Sequence, residues 1–198
     1  MNLANKLTVF RIILVPIMII IPFFNIQGEL WGIPVTCLII DLIFIIASVT
    51  DKLDGYIARS RNQITNFGKF LDPIADKVLV VTAMIMLVEM GRLPAWIPAI
   101  VIFREFLVSG YRLIAVQNDG KVIAASIWGK LKTVTQMIAI ILAFIDVNAY
   151  GAIFNSNLTG FSFGLNLITT IIMTISVIAT IFSGWNYIKE GKDLLKDM

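Results

Sequence analysis

The sequence predicts an all-α integral membrane protein of six transmembrane helices, and three observations carry that prediction. Of 198 residues, 58 % are hydrophobic and only 15 % charged, where a soluble domain carries about 25 % charged residues. A spanning helix needs roughly 20 mostly apolar residues, and Pro, Gly and charge clusters divide this chain into six such runs. The cations, finally, are gathered in alternate connections between the runs. A mean hydropathy of +0.88 agrees with a chain that lives in a bilayer.

The first run, 8–26, is apolar at most positions, with Arg11 inside it, and ends at Gln27-Gly28-Glu29. No small-residue cleavage site clearly follows it, so no cleaved leader is expected. The second, 32–57, holds Asp41 in its middle and closes on the acidic stretch that starts at Asp51. The third, 71–90, opens at Asp72-Pro73, where proline suits the first turn of a helix because its missing N–H costs little there. Gly91 ends it. The fourth, 94–116, is apolar except for Arg104-Glu105 and Arg112, and an internal ion of this kind asks for a pairing partner or a polar cavity. The fifth and sixth are 127–148 and 163–188. Neither an internal repeat nor a long linker divides the chain, so residues 1–198 are read as a single membrane domain.

The connections 27–31, 91–94 and 148–163 carry one cation between them, Arg92, and every other Lys and Arg falls on the opposite side. The positive-inside rule then puts both termini and the acidic cluster in the cytoplasm, as an even number of spans requires. The net charge of +3 is thus concentrated where anionic headgroups and phosphorylated metabolites are met, and no nucleic-acid partner is expected. The chain has one cysteine, Cys37, and no histidine. That excludes a disulfide framework within the chain, a multi-thiolate metal site and imidazole chemistry. Proton transfer falls to carboxylates, lysines or water.

Four aspartates, Asp51, Asp54, Asp72 and Asp76, lie within one short stretch at the predicted cytoplasmic face. Residues three or four apart share a helix face, so Asp51, Asp54, Gly55 and Ala58 form one stripe, with Arg59 on the next turn. Gly68, Asp72 and Asp76 form a second stripe on the next helix. Any one of these acids could simply pair with Lys52, Lys69 or Lys77. Four together repel one another unless cations neutralise them, and oxygen donors without His or Cys favour Mg2+ or Mn2+ over Zn2+. Four shared carboxylates can hold two such ions about 4 Å apart and clamp phosphate oxygens. The interleaved Gly and Ala let a ligand approach the backbone, and Arg59 offers a bidentate phosphate contact.

Written out, the segment is Asp51-x2-Asp54-Gly55-x2-Ala58-Arg59-x8-Gly68-x3-Asp72-x3-Asp76, and at every position it resembles the signature of the CDP-alcohol phosphotransferase family. Asn5-Lys6-Leu7-Thr8, with Arg11 and Pro16, is similar to the family's amino-terminal segment, although Ala4 stands where relatives commonly have proline. Downstream, Arg104-Glu105 with Arg112, and Gly129-Lys130-Leu131-Lys132-Thr133, resemble the bacterial members that make phosphatidylglycerophosphate. The resemblance runs from residue 2 to about residue 140; the last span is similar only in length and hydrophobicity.

The resemblance implies a six-span homodimer in a bacterial cytoplasmic membrane, with two divalent metals and a nucleotide pocket open to the cytosol. It implies that Asp51, Asp54 and Asp72 ligate metal and diphosphate, and that Asp76 ligates metal and acts as the base. Gly55, Ala58, Arg59 and Gly68 would hold the CDP part, with polar contacts from Asn5 and Thr8. The expected substrates are CDP-diacylglycerol, its acyl chains among membrane lipids, and sn-glycerol 3-phosphate. An acceptor that carries its own phosphate needs cations apart from the metals, and Arg104, Arg112, Lys130, Lys132 and Lys77 are the candidates. Arg104 and Arg112 share a helix face; Lys130 and Lys132 point differently, so one of them at most should face the pocket. The same chemistry could instead serve inositol phosphate, or phosphatidylglycerol to give cardiolipin. An ion or metal transporter is the rival from another class.

Overall fold

A computed structural model describes residues 3–60, 66–117 and 127–190; within these, the side chains of residues 3–4, 52–60, 66–67, 69–70, 114–117 and 190 are not described. Helix accounts for 83 % of the described residues, so the chain is mostly helical as expected. The helices are α1 (Leu3–Ile20), α2 (Val35–Ser60), α3 (Asn66–Glu89), α4 (Trp96–Gln117), α5 (Ile127–Ile145), the short α6 (Ala152–Asn155) and α7 (Gly160–Glu190). A 3-10 turn over Ile21–Phe24 extends α1.

Three helical stretches, Asn5–Phe24, Ile127–Ile145 and Gly160–Lys189, are long and apolar enough to cross a membrane on composition alone. The other three long helices, α2, α3 and α4, each keep at least three ionisable residues in any 18-residue window. Those residues include Asp51, Asp72, Asp76, Arg104 and Arg112, the very groups that make the chain interesting. α7 is 31 residues long, roughly 46 Å at 1.5 Å per residue, and so exceeds a hydrocarbon core of about 30 Å.

The helices do not share the boundaries of the hydropathic runs. α3 begins at Asn66, five residues before the apolar run, so Pro73 lies inside the helix and not in its first turn. Hydropathy marks what prefers lipid; backbone hydrogen bonding continues past it for as long as the residues permit. The start of the second run is instead a small antiparallel hairpin, β1 (Glu29–Leu30) with β2 (Ile33–Pro34). Its turn residues, Trp31 and Gly32, take φ of 56° and 76°, the left-handed pair that a two-residue hairpin turn requires.

The chain forms two compact units, Met1–Leu93 with Ile140–Ala149 and Pro94–Ala139 with Tyr150–Met198. In the first unit α1 packs on α2 and α3, around Met18, Ile40, Phe44, Leu79, Met84 and Leu87, all fully buried. α3 ends at Gly91, whose φ of 70° allows the paired bonds from Gly91 N to Val88 O (3.0 Å) and Arg92 N to Leu87 O (2.9 Å). The turn sends the buried Arg92 side chain to the end of α5, where it donates to the carbonyls of Phe144 (2.6 Å) and Ala143 (3.4 Å). A cation on the last carbonyls of a helix meets the negative end of its dipole. Arg92 is therefore a helix cap.

In the second unit α4 packs along α7, with Ile97, Val101, Val108, Met173 and Val177 buried. The segment before α7 is pinned to it by side chains: Thr170 Oγ1 accepts from Gly151 N (3.1 Å) and Asn166 Oδ1 from Ile153 N (3.0 Å). These bonds satisfy backbone donors that the break in helix would otherwise leave open.

Candidate active site

In the first unit, α1 is the element that organises the acids. Thr8 Oγ1 donates to Asp72 Oδ1 at 2.7 Å, and Arg11 Nη1 stands 2.8 Å from Asp51 Oδ1. Arg11 is completely buried, while the Asp51 side chain is 31 % exposed. Arg11 Nε also donates to the carbonyl of Ala47 at 3.2 Å. One helix thus fixes a carboxylate on each of its two neighbours, through side chains one turn apart. Asn5, one turn earlier, is buried too, as is Gly68 on α3.

Asp76 and Lys77 follow Asp72 on α3, both partly buried. Asp54, Gly55, Ala58 and Arg59 ride on α2, with side chains outside the described residues. The donors suit a hard cation in kind: carboxylate oxygens from adjacent helices, with neither imidazole nor thiolate in the set. Among the described residues no three acidic or cysteine side chains form a metal-sized group by themselves, and the fourth acid, Asp54, lies outside them. Asp41, higher on α2, is buried, and its Oδ1 has no hydrogen-bond partner among the described residues.

The second unit holds a cavity of about 530 Å³ walled by Arg104, Arg112, Lys130 and Tyr187, with Gly129, Thr133 and Val134 completing it. Arg104 and Arg112, two turns apart on α4, do share this face. Lys130 lines the cavity, whereas the buried Lys132 bonds to Glu105 Oε1. The same oxygen accepts from Arg104 Nη1 at 2.9 Å. Glu105 is therefore the counter-charge that lets two cations be buried side by side. Arg104 Nη2 donates to Ser183 and Arg112 Nη2 to the Tyr187 hydroxyl (2.9 Å). Among the described residues, four cations stand against one carboxylate here, a positive balance that suits a phosphate. Lys77 belongs to the first unit.

Residues 1–182 match the family described as CDP-alcohol phosphatidyltransferase. The chain belongs to the CDP-alcohol phosphatidyltransferase family. A relative from Bacillus subtilis, named CDP-diacylglycerol–glycerol-3-phosphate 3-phosphatidyltransferase, is 40 % identical over 98 % of this chain and 97 % of its own. One of the same name from Haemophilus influenzae is 38 % identical over 99 % and 96 %. A Mycobacterium tuberculosis relative, named probable phosphatidylglycerophosphate synthase, is 33 % identical over 96 % of this chain and 81 % of its own.

The geometry gives three residues contacts that the sequence pattern does not specify. Arg11 matches the family's amino-terminal segment in sequence, but its contact with Asp51 depends on how α1 crosses α2. Ser183 and Tyr187 lie one turn apart on α7, in a stretch where hydropathy alone was read. Two polar groups at that spacing in an apolar span were the available signal.

Proposed function

We propose that the chain transfers the phosphatidyl group of CDP-diacylglycerol to sn-glycerol 3-phosphate, releasing CMP and forming phosphatidylglycerophosphate for phosphatidylglycerol synthesis. The observation that carries this reading is the cationic cavity of Arg104, Arg112 and Lys130. An acceptor with its own phosphate needs such a site apart from the acids that serve the diphosphate, whereas a neutral alcohol or serine does not. The printed names of the relatives support the same acceptor.

In this reading residues 1–198 act as one six-span domain, a homodimer in a bacterial cytoplasmic membrane, with both termini and the acids at the cytoplasmic face. The capping role of Arg92 supports that topology, since it removes the one outer cation from the loops that face water. The acyl chains of CDP-diacylglycerol stay among membrane lipids. Asp51, Asp54, Asp72 and Asp76 would hold two divalent ions, Mg2+ or Mn2+, which would neutralise the diphosphate. Arg11 and Thr8 keep Asp51 and Asp72 aimed. Asn5, Gly55, Ala58, Arg59 and Gly68 shape the CDP part of the pocket.

Asp76 takes the proton of the acceptor's 1-hydroxyl, and that oxygen attacks the β-phosphorus, the one nearer the lipid. The new P–O bond forms as the bond to the CMP oxygen breaks. Arg104, Arg112 and Lys130 hold the acceptor's phosphate throughout; Lys132 serves the pocket through Glu105 rather than by contact. Positioning and charge neutralisation supply most of the rate in phosphoryl transfer, which is the work these residues are placed to do.

The test is CMP release by the purified protein in mixed micelles with CDP-diacylglycerol, Mg2+ or Mn2+, and one acceptor at a time. Release with sn-glycerol 3-phosphate, abolished by chelator, is the expected result. Faster release with inositol phosphate or phosphatidylglycerol would reassign the acceptor. Silence with every acceptor would return the chain to the transporter reading.

A further inference from the structure

We infer that Tyr187 of α7 is a positioning residue for the acceptor's phosphate, acting through Arg104 and Arg112; the inference rests on the acceptor-pocket reading above. The two arginines leave α4 eight residues apart, roughly 12 Å along the axis, so meeting on one phosphate requires both long side chains to be ordered toward each other. Each guanidinium carbon lies 5.7 Å from the centroid of the same Tyr187 ring. The ring is therefore a shared spacer between them, and its negative faces offset the repulsion of two like charges.

The orientation is fixed as well as the spacing. The Tyr187 hydroxyl accepts from Arg112 Nη2 at 2.9 Å, while Ser183, one turn earlier on α7, and Glu105 hold Arg104. Tyr187 is 2 % exposed, so its own place is set by packing. Arg104 Nε is buried and without a hydrogen-bond partner among the described residues, a donor left over when the protein's own contacts are made. Arginine loses much rotamer freedom when it is ordered, and a residue that orders it beforehand improves binding without touching the ligand. The last span, apolar in pattern, thus tunes the acceptor site.

The experiment is steady-state kinetics of CMP release by the full chain with Tyr187→Leu and Tyr187→Phe, varying each substrate in turn. Tyr187→Leu should raise KM for sn-glycerol 3-phosphate about tenfold, the loss expected from one cation–π contact and one hydrogen bond to a charged group. KM for CDP-diacylglycerol and kcat at saturation should stay within about twofold. Tyr187→Phe keeps the ring and should restore part of the affinity. In the double variant Tyr187→Phe/Arg112→Ala, the phenylalanine should add little to the defect of Arg112→Ala alone, because the hydroxyl acts through that arginine.

Equal rises in both KM values, or full additivity in the double variant, overturn the positioning role. If Tyr187→Leu does not fold, the phenylalanine variant and the double variant decide the matter alone. Should Arg104→Ala and Arg112→Ala themselves leave KM for glycerol 3-phosphate unchanged, the acceptor-pocket reading fails. If those variants raise it while the Tyr187 variants do not, only the inference about Tyr187 fails.

Discussion

Asp51→Asn should destabilise the protein more than Arg11→Met, although the two side chains share one ion pair. The asymmetry follows from burial. Arg11 is completely buried and Asp51 is 31 % exposed. Unit charges roughly 4 Å apart attract by about 4 kcal/mol at an effective dielectric near 20. Removing one partner of a buried pair costs about 3–5 kcal/mol, because the other charge is stranded. Asp51→Asn removes the carboxylate charge facing a completely buried guanidinium that does not deprotonate, so a loss within that range is expected. Arg11→Met leaves a carboxylate that is partly hydrated already and adds an apolar side chain to an apolar site, so about 2 kcal/mol is expected.

For a chain of this size each kcal/mol moves Tm by about 2–4 °C. Asp51→Asn should then lower Tm by roughly 10 °C and Arg11→Met by about 5 °C. The assay is thermal unfolding in detergent micelles followed by tryptophan fluorescence, with chelator present so that metal ligation does not enter. The double variant Arg11→Met/Asp51→Asn should recover stability relative to Asp51→Asn alone. A larger loss from Arg11→Met, or two variants indistinguishable from the parent, would show that burial of the pair is not what holds α1 to α2.

Asp76→Asn should lower CMP release by about 10²-fold or more, the scale of a lost general base, with Tm near that of the parent; substantial residual turnover would remove Asp76 from that role. Thr8→Val breaks the 2.7 Å bond to Asp72 at a cost of about 1 kcal/mol. It should slow CMP release severalfold while KM for glycerol 3-phosphate is unchanged, which initial rates at varied acceptor will check. Arg92→Met uncaps α5 and should lower Tm by about 5 °C, on a loss of about 1–2 kcal/mol. Turnover of the folded fraction should be retained, and a selective loss of activity would count against a purely structural Arg92.

Much was legible without coordinates because it depends on the chain's local chemistry. The aspartate stripes need only helical spacing, and α2 and α3 supply it. Pro73 shows the limit: an interior proline and a first-turn proline look alike when hydropathy places the helix start, because the helix runs on past the apolar run. Arg92 shows another. A charge count assigns it to an outer loop, and only the turn after α3 reveals that it reaches the carbonyls of Phe144 and Ala143.

The sequence by itself determined the class, the acids and the cations, since composition, periodicity and the spacing of charged groups are properties of neighbours along the chain. Tertiary structure alone decided which ions meet. That Arg11 belongs to Asp51, Thr8 to Asp72, Lys132 to Glu105 and both pocket arginines to Tyr187 follows from how α1 crosses α2 and α3 and how α4 packs along α7. Those crossings come from the fit of whole apolar faces, and no local pattern encodes them. A buried charge must find a partner, and the fold chose which one.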